Sequence, residues 1–350
     1  MNQNLEEYLL AIQSLFPRDL KLIEEVRKKI ETGERDDLIE NPLKRRRISI
    51  FYEKEKENLR EILLKNSIKT VSILSEDYPE KLKQSYAPPL VLFYKGDISI
   101  LREPTISIVG TRKPTSYGIK NAEVFSCFLS ERGFIVVSGM ANGIDAHVHG
   151  GALKGGKTVG VLGSNLVDIY PARNRRLAKE ISEKGCLISE FSPLTRTHPS
   201  NFPIRNRIIA ALSLFTLVIE ARERSGSLIT AMLALESGRD VGAIPGNIDS
   251  ENSKGTNRLI KNGAILINSP EDIIELPYYK EKIRFRENKV SLTKKEEDVL
   301  SVIPKDKFIS LDEILEKTGL DFGELFNILL QLRFKNLIME FTGKNYQRTI

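Results

Sequence analysis

The sequence predicts a doubly wound, mostly parallel α/β domain with a helical domain before it and a winged-helix-like domain after it. Three observations support this: helical periodicity near the start, short β-rich runs alternating with helical segments from about residue 90, and a final segment of three helices and a hairpin. A chain of 350 residues is long enough for two or three domains. The predicted boundaries are residues 1–80, 81–276 and 291–350, with a polar, basic linker at 277–290.

The N-terminal segment has the periodicity of helices. Apolar residues between Leu5 and Ile30 fall mostly three and four positions apart, and Pro17 divides the pattern into two helices. The residues that follow are charged, of helical propensity, and include the basic run Lys44–Arg47. Such a run is typical of a solvated helix face, and a nucleic-acid contact is the alternative.

The central domain is predicted from apolar runs separated by helices, a pattern typical of a parallel sheet covered on both faces. The predicted strands are Leu90–Tyr94, Ile106–Val109, Phe134–Val137, Thr158–Leu162, Leu187–Ser189, Phe215–Ile219, Val241–Ile244 and Ile265–Ile267. The predicted helices lie near residues 117–131, 143–154, 174–184, 205–212, 227–237 and 256–262.

The C-terminal segment predicts helices over 292–303, 310–317 and 321–334, followed by β runs at Leu337–Phe341 and Tyr346–Thr349. Its third helix carries one basic residue, whereas a helix that reads the major groove normally presents several Arg, Lys, Asn or Gln side chains. We therefore expect this domain to contact protein rather than to read DNA.

Composition excludes several classes of protein. There is no run of 18 apolar residues, the start lacks the pattern of a secretory signal, and two cysteines cannot form a disulfide framework or a four-thiolate zinc site. A cytoplasmic location is the expectation. The net charge of +6 arises mainly in residues 101–280, with 22 Lys and Arg against 17 Asp and Glu, which is weak support for an anionic partner.

Small or glycine-rich turns follow five of the predicted strands. Ligands of open parallel sheets bind outside the carboxyl ends of the strands, where glycines and helix N-termini bring backbone N–H groups close to an anion. The turns therefore predict a phosphate-binding rim, and tight packing is the alternative. The turns are Gly110-Thr111-Arg112-Lys113, Gly139 to Asp145, Gly163-Ser164-Asn165, Arg222 to Ser227 and Pro245-Gly246-Asn247.

Three familiar motifs are rejected on spacing. The first strand lacks the Gly-x-Gly-x-x-Gly of a dinucleotide site, and Gly151–Thr158 matches a Walker A loop but precedes a strand instead of following one. In Asp145-x-His147-x-His149, only Asp145 and His149 share a helix face, so the three side chains would not converge on a metal. No nucleophile–base–acid arrangement is supported, and we expect neither a cofactor nor a metal.

Two further clusters interleave Arg and Asn with aromatic residues, as suits a nucleic-acid backbone and stacked bases. They are Tyr170-Pro171-Ala172-Arg173-Asn174 and Phe202-Pro203-Ile204-Arg205-Asn206-Arg207. The alternative is that each proline marks a helix start and the aromatic rings belong to the core.

Residues 106–275 resemble the DNA-processing protein A (DprA, or Smf) family nearly end to end. The matching motifs are Val109-Gly-Thr-Arg112-x-x-Thr115-x-Tyr117-Gly118, Ser138-Gly139-x-Ala141-x-Gly143-Ile-Asp145-x-x-x-His149, Tyr170-Pro171-x-x-Asn174, Ile188-Ser-Glu190-Phe, Phe202-Pro203-x-Arg205-Asn206-Arg207-Ile-Ile-Ala210, Val218-Ile-Glu220-Ala, Ser225-Gly226-Ser227-Leu-Ile-Thr230-Ala and Pro245-Gly246. The helical front, of the SAM or helix-hairpin-helix kind, and the winged-helix tail match the family's three-part layout.

The resemblance implies an extended Rossmann-like domain that binds single-stranded DNA without catalysing a reaction. It implies roles in natural transformation (competence) and DNA recombination, in which the protein protects incoming strands and loads the RecA recombinase. Implied partners are single-stranded DNA, RecA, a second copy of the chain and, in addition, single-strand-binding protein. Implied DNA-binding residues are Gly110, Thr111, Arg112, Lys113, Gly139, Asn142, Gly143, Arg173, Asn174, Phe202, Arg205, Asn206, Arg207, Ser225, Gly226 and Ser227, and implied dimer residues are Leu235, Ile260 and Leu266.

The sequence departs from the family pattern at Asn142, where arginine is usual, and at Ala172, where lysine is frequent. Both changes remove a positive charge from the implied DNA path. The sheet edge also resembles that of phosphoribohydrolases related by fold, so a nucleotide-binding or nucleotide-hydrolysing enzyme is the alternative function. Such enzymes carry a Pro-Gly-Gly-x-Gly-Thr stretch near a glutamate, which this chain lacks.

Overall fold

A computed structural model of the protein describes residues 2–34, 38–276, 292–304, 307–334, 337–341 and 343–348. The chain forms two compact units, Met1–Ile283 and Arg284–Ile350. The predicted linker at 277–290 lies outside the described residues. None of the helices in the described ranges is long and apolar enough to span a bilayer.

Four helices open the first unit: α1 (Asn2–Leu15), α2 (Leu20–Thr32), α3 (Pro42–Lys54) and α4 (Lys56–Lys65). The break between α1 and α2 falls at Pro17, as predicted, and the Asp19 carboxylate caps α2 by accepting from the Leu22 N–H at 3.1 Å. Buried Gln13 joins these helices to the sheet, since its side chain donates to the Glu190 carbonyl at 3.1 Å and accepts from the Leu90 N–H at 2.8 Å.

A nine-stranded sheet forms the centre of this unit, in the order β1-β2-β6-β5-β4-β3-β7-β8-β9. All pairings are parallel except β1 with β2 and β2 with β6, so the predicted mostly parallel, doubly wound α/β fold is confirmed. The strands are β1 (Lys69–Ser72), β2 (Val91–Gly96), β3 (Thr105–Val109), β4 (Ile135–Gly139), β5 (Thr158–Leu162), β6 (Cys186–Ser189), β7 (Phe215–Val218), β8 (Asp240–Ala243) and β9 (Ile265–Leu266).

Helices cover both faces of the sheet, which leaves the central strands fully buried. On one face α6 and α7 pack in a core with Phe125 and Val148, and on the other α9 and α10 share a core with α1 and α2. The helices are α5 (Glu80–Lys83), α6 (Ser116–Glu131), α7 (Ile144–Gly155), α8 (Arg175–Lys184), α9 (Asn201–Leu212), α10 (Gly226–Glu236), α11 (Lys254–Lys261) and α12 (Pro270–Ile274).

All eight strands predicted for the central domain are present, within one or two residues of their predicted ends. The pattern of apolar residues did not predict β1, whose four residues include one apolar side chain, or α5 and α12, which are too short to display a helical period. It also placed the start of α9 at residue 205, whereas the helix begins at Asn201 and includes Pro203 in its first turn, where the missing N–H costs no hydrogen bond.

The second unit contains the predicted three helices and hairpin, α13 (Lys294–Val302), α14 (Leu311–Thr318), α15 (Phe322–Phe334), β11 (Ile338–Phe341) and β12 (Asn345–Arg348), with the short β10 (Ile309–Ser310) pairing to β12. Capping boxes begin α13 at Thr293 and α14 at Ser310. Its core is its own, since Val299, Ile314 and Leu325 are buried among residues of the same unit.

Candidate functional site

A pocket of 340 Å³ opens at the carboxyl ends of the parallel strands. It lies where the chain order reverses, because β3 has β4 on one side and β7 on the other. The walls come from the loop after β3, the first turns of α9 and the turn that leads from β7 into α10. The topology alone therefore places three separate parts of the sequence at one crevice.

Arginine and aromatic side chains form one wall of the pocket. The exposed guanidinium of Arg112 lies 5.8 Å from the centre of the Phe202 ring, and that ring lies 5.4 Å from the ring of Tyr170 at an interplanar angle of 51°. Tyr170 is 54% exposed. Gly163 makes room for this arrangement, since a Cβ there would lie 2.6 Å from the Phe202 ring. The wall combines the cation of Arg112 with the ring of Phe202, and Tyr170 packs against that ring beside the pocket.

Glu220, at the end of β7, holds the loop that carries Arg112. Its carboxylate accepts from the Thr115 N–H at 2.9 Å and from the Thr115 hydroxyl at 2.5 Å, and its carbonyl accepts from the Thr111 N–H at 2.8 Å. Glu220 is 2% exposed, so a buried residue anchors the loop by three hydrogen bonds.

Asn252 supports the same edge from the other side. Its amide donates to the Lys113 carbonyl at 2.9 Å and its oxygen accepts from Arg222 Nε at 3.0 Å. Arg222 lines the pocket, so Asn252 orients a second cation towards it. The Asn252 carbonyl also accepts from the Ala221 N–H at 2.7 Å, which ties this loop to the end of β7.

Arg205 forms the base of the pocket and is 4% exposed. Its guanidinium donates to the Val161 carbonyl at the end of β5 and lies close to Asp145. Burial lowers the pKa of Arg205 to about 10, which the charge of Asp145 opposes, so the guanidinium is protonated at neutral pH. Burial likewise raises the pKa of Asp145, against the attraction of Arg205 and Arg112.

Gly139 is the position where β4 passes behind these side chains. A Cβ there would lie 2.5 Å from both Arg205 Nη1 and Asp145 Oδ2. His149 braces the same strand end, because its Nε2–H donates to the Gly139 carbonyl at 2.9 Å and its Nδ1 lies 2.8 Å from the Thr158 hydroxyl. Burial lowers the pKa of His149 to about 4, so the ring is neutral at pH 7.

The first turn of α10 supplies backbone donors to the pocket. Ser225 caps this 11-residue helix by accepting from the Ser227 N–H at 3.4 Å, and its hydroxyl lies 2.8 Å from that of Ser227. Asn206 reaches across from α9 and donates to the Gly226 carbonyl at 3.4 Å. The helix dipole and the guanidinium of Arg224 add positive potential at the same edge.

Nine of the sixteen predicted DNA-binding residues line this pocket. They are Gly110, Thr111, Arg112, Phe202, Arg205, Asn206, Ser225, Gly226 and Ser227. The pocket also contains Asp145, Arg222 and Arg224, which belong to the predicted rim turns but not to the predicted binding residues. Both arginines could be found from the sequence, because they lie in the turn that follows the predicted strand Phe215–Ile219.

The other seven predicted residues do not line the pocket. Lys113 is exposed beside Arg112, and Gly139 lies behind Arg205. Gly143 has a φ of +82° and supports the Arg112 loop, since a Cβ there would meet the Thr111 carbonyl at 2.5 Å.

The remaining four make contacts within the protein. Arg173 donates to the side chain of Asn142, and Asn174 donates to the carbonyls of Met140 and Ala141 at 2.9 and 3.2 Å, which orders the loop after β4. Arg207 lies on the far side of α9, is 8% exposed, and pairs with buried Glu190. Burial raises the pKa of Glu190, against the charge of Arg207.

The side chains of Asp145, His147 and His149 do not converge, as the spacing predicts. His147 lies 3.1 Å from Glu123, whereas His149 is buried under β4. Across the described ranges, no group of three His, Cys, Asp or Glu side chains is placed to hold a metal ion.

The three predicted dimer residues lie at one end of the sheet. Leu235 on α10 and Leu266 on the edge strand β9 are 55% and 45% exposed, and Ile260 on α11 is half-buried. An exposed apolar side chain on a sheet edge is compatible with an interface.

Comparisons with known proteins identify relatives of this chain. Residues 69–277 match the family described as DNA recombination-mediator protein A. The chain is 43% identical to the DNA processing protein DprA of Bacillus subtilis over 210 residues, which are 59% of this chain and 71% of that protein. It is 37% identical to the protein Smf of Escherichia coli over 279 residues, 77% of this chain and 74% of that protein.

Two solved structures are similar to this one. DNA processing protein A from Streptococcus pneumoniae superposes with a TM-score of 0.69 at 35% identity, over 77% of this chain and 96% of that one. DNA processing protein A from Helicobacter pylori, described for its single-stranded DNA binding mode, superposes with a TM-score of 0.55 at 30% identity, over 59% of this chain and 94% of that one.

Proposed function

The chain belongs to the DNA recombination-mediator protein A family, and from this premise we propose that it binds single-stranded DNA at the pocket where β3 and β7 end, in the processing of incoming DNA during transformation. The observation that carries the proposal is the composition of the pocket. Four arginines, Arg112, Arg205, Arg222 and Arg224, line it together with a helix N-terminus, against the single carboxylate of Asp145.

The proposed binding mode follows from which residues of the pocket are exposed. Arg112, Arg222 and Arg224 take phosphates, and the N–H groups of the Ser225–Ser227 turn donate to phosphate oxygens. Phe202 and Tyr170 provide faces on which bases stack. Arg205 acts from below through its charge, since its side chain is buried and engaged with the Val161 carbonyl.

The residues around the pocket act as supports in this proposal. Gly139, Gly143 and Asn174 position the loops, and Arg173 with Asn142 extends the polar rim. Lys113 adds a solvated positive charge. Asn142 accepts from Arg173, so the asparagine that replaces the family's usual arginine orients a neighbouring cation towards the same rim.

The proposals on RecA loading, on single-strand-binding protein and on the dimer are based on the family to which the chain belongs. We propose that the DNA-bound protein loads the RecA recombinase, in contact also with single-strand-binding protein, and that it does so as a dimer through Leu235, Ile260 and Leu266. A strand-exchange assay with RecA tests the loading. Light scattering of Leu235→Glu tests the dimer, for which the expected result is a halved mass.

Arg112→Ala is the test of DNA binding. The variant removes a cation and the partner of the Phe202 ring, so we expect about tenfold weaker binding of oligothymidine and a salt slope lower by about 0.7. Filter binding over a salt series measures both. Lys157→Ala, just before β5 at the opposite edge of the sheet, is the matched control and should bind as the wild type does.

Salt-independent binding, or equal affinities of wild type and Arg112→Ala, would overturn the proposal. The enzyme alternative has its own readout in the same samples, since a nucleotide hydrolase of the phosphoribohydrolase kind would release free base from nucleoside monophosphates. We expect the protein to bind DNA and to release no free base from nucleoside monophosphates.

A further inference from the structure

A second groove, of 640 Å³, opens beside the pocket. The two have Pro203 and Ile229 in common in their linings, so they are adjacent. The walls of the groove come from the start of α2, from residues 84–86 after α5, and from facing sides of α9 and α10. A strand that left the pocket past Pro203 would meet this groove next.

The groove offers surfaces that suit nucleobases. Leu20, Ile204 and Leu233 provide apolar walls, and Tyr86 stands at the groove with 61% of its surface exposed. Aromatic rings of this exposure hold bases of any sequence by stacking, because every base has a π face. Gln84 and Ser85 add amide and hydroxyl groups that can donate or accept hydrogen bonds.

A cluster of cations lies beyond the Leu20 end of the groove. Arg18 donates from Nε to Asn201 Oδ1 at 2.7 Å and from Nη2 to the Arg196 carbonyl at 3.1 Å, so it joins the start of α2 to the loop before Phe202. Lys44 of α3 pairs with Asp19 at 2.6 Å. These contacts connect the basic run of α3 to the edge of the candidate site.

Two members of this cluster, Arg47 and Arg196, are exposed and present their positive charge to solvent. The guanidinium of Arg47 lies 4.9 Å from the centre of the Phe16 ring, and Arg196 is exposed on the loop that leads to α9. Within the described ranges neither of them has an ion-pair partner. We call Arg18, Lys44, Arg47 and Arg196 the N-terminal basic cluster.

We propose that the groove and the N-terminal basic cluster form a second subsite for single-stranded DNA, which takes the nucleotides that flank those in the pocket. Bases pack on Tyr86 and the apolar walls, and phosphates lie along the cluster. The inference rests on the proposed function and extends it. Continuity with the pocket and complementarity of charge favour the same DNA strand as the occupant.

Oligonucleotides of two lengths separate this subsite from the pocket. A strand of about 5 nucleotides fills the pocket alone, and one of about 20 nucleotides reaches both sites. Tyr86→Ala should weaken binding of the long strand at least about fivefold and leave the short strand unaffected, because one stacking contact is lost. Tyr86→Phe keeps the ring and should bind both strands as the wild type does.

The cluster is tested by Arg47→Ala combined with Arg196→Ala. We expect the salt slope for the long strand to fall by about 1.4, with no change for the short strand, because two phosphate contacts are lost. Arg132→Ala is the matched control, since Arg132 follows α6 at the opposite edge of the sheet and packs over Phe128. Circular dichroism confirms that each variant is folded.

The two proposals fail in different ways. If the wild type binds neither strand, the proposed function itself is wrong. If it binds the short strand, but Tyr86→Ala and the double variant leave the long strand unchanged or weaken both strands equally, the second subsite is wrong and the pocket stands. A groove that serves a protein partner instead would give that same unchanged result.

Discussion

Gly139 lies directly behind the Arg205 guanidinium, and its lack of a side chain lets a buried cation and a buried carboxylate approach the end of β4. This is a packing role, although the residue stands in a turn that resembles a phosphate-binding loop. Glycines at the carboxyl edge of a sheet therefore divide into those that admit a ligand and those that admit the protein's own side chains.

Gly139→Ala should displace Arg205, because the new Cβ would lie 2.5 Å from Nη1. We expect a loss of about 1–3 kcal/mol in the free energy of unfolding and weaker DNA binding. Urea denaturation and filter binding measure the two effects. Gly150→Ala is the control, since a Cβ at that helical position meets nothing within 4 Å and should leave stability equal or higher. Equal behaviour of both variants would contradict the packing role.

His149 makes stability dependent on pH. Its folded pKa of about 4 lies below the usual 6.5, so the unfolded chain takes up a proton first and acid favours unfolding. This contribution is complete above pH 6.5 and is lost as the pH falls towards 4, with a total of about 3 kcal/mol.

His149→Gln removes the titrating group, so the free energy of unfolding should fall less steeply between pH 7 and 4 than in the wild type. The slope is the readout, measured by urea denaturation at several pH values, because the variant is expected to be less stable at every pH. Parallel slopes in the two proteins would show that His149 does not titrate in this range.

At the scale of elements, α10 combines two roles at its first turn. Ser225 caps the helix, and the same turn faces the pocket. The exposed apolar residues on its outer side, Met232 and Leu235, face away from the shared core of α9 and α10. One helix thus contributes to the candidate DNA site at its N-terminus and to the predicted dimer surface further along.

Substitutions of Ser225 separate capping from DNA binding. Ser225→Ala should cost about 1 kcal/mol of stability, whereas Ser225→Asp retains a cap and places a negative charge where a phosphate is expected. We therefore expect Ser225→Asp to melt near the wild-type temperature and to bind oligothymidine more weakly than Ser225→Ala. Ser225→Asn, a neutral cap, should keep both properties. Equal affinities of the Asp and Asn variants would place the DNA elsewhere.

At the scale of the whole molecule, the two units have separate cores. The buried residues of the second unit, from Val299 to Tyr346, belong to a cluster without members from the first unit. On its third helix, α15, the exposed side chains of Phe322, Phe326 and Leu330 follow one another at intervals of four residues. This apolar stripe agrees with the prediction that the unit contacts protein, which stays a prediction.

Deletion of residues 291–350 should leave the first unit folded and its affinity for oligothymidine unchanged, because the pocket and its supports lie between Val109 and Asn252. Calorimetry and filter binding on the shortened and full chains are the measurements. A large loss of affinity would assign DNA binding to the C-terminal unit, and would contradict the expectation drawn from its single basic residue on α15.

The sequence by itself determined the elements and the edge at which a ligand would bind. Periods of 2 and 3.6 residues are local properties, and the turns after β3, β4 and β7 are readable one at a time. β1 was not predicted, because its four residues include one apolar side chain and so display neither period.

Only the tertiary structure decided which side chains meet. The order β4-β3-β7 brings Arg112 and Ser225 to one pocket, and the packing of α9 adds Phe202 and Arg205 to it while burying Arg207 against Glu190. Arg205 and Arg207 stand in one motif two residues apart, which on a helix is about 200° of rotation, so their environments differ although their residue type does not. That difference depends on packing between distant segments, which no local pattern encodes.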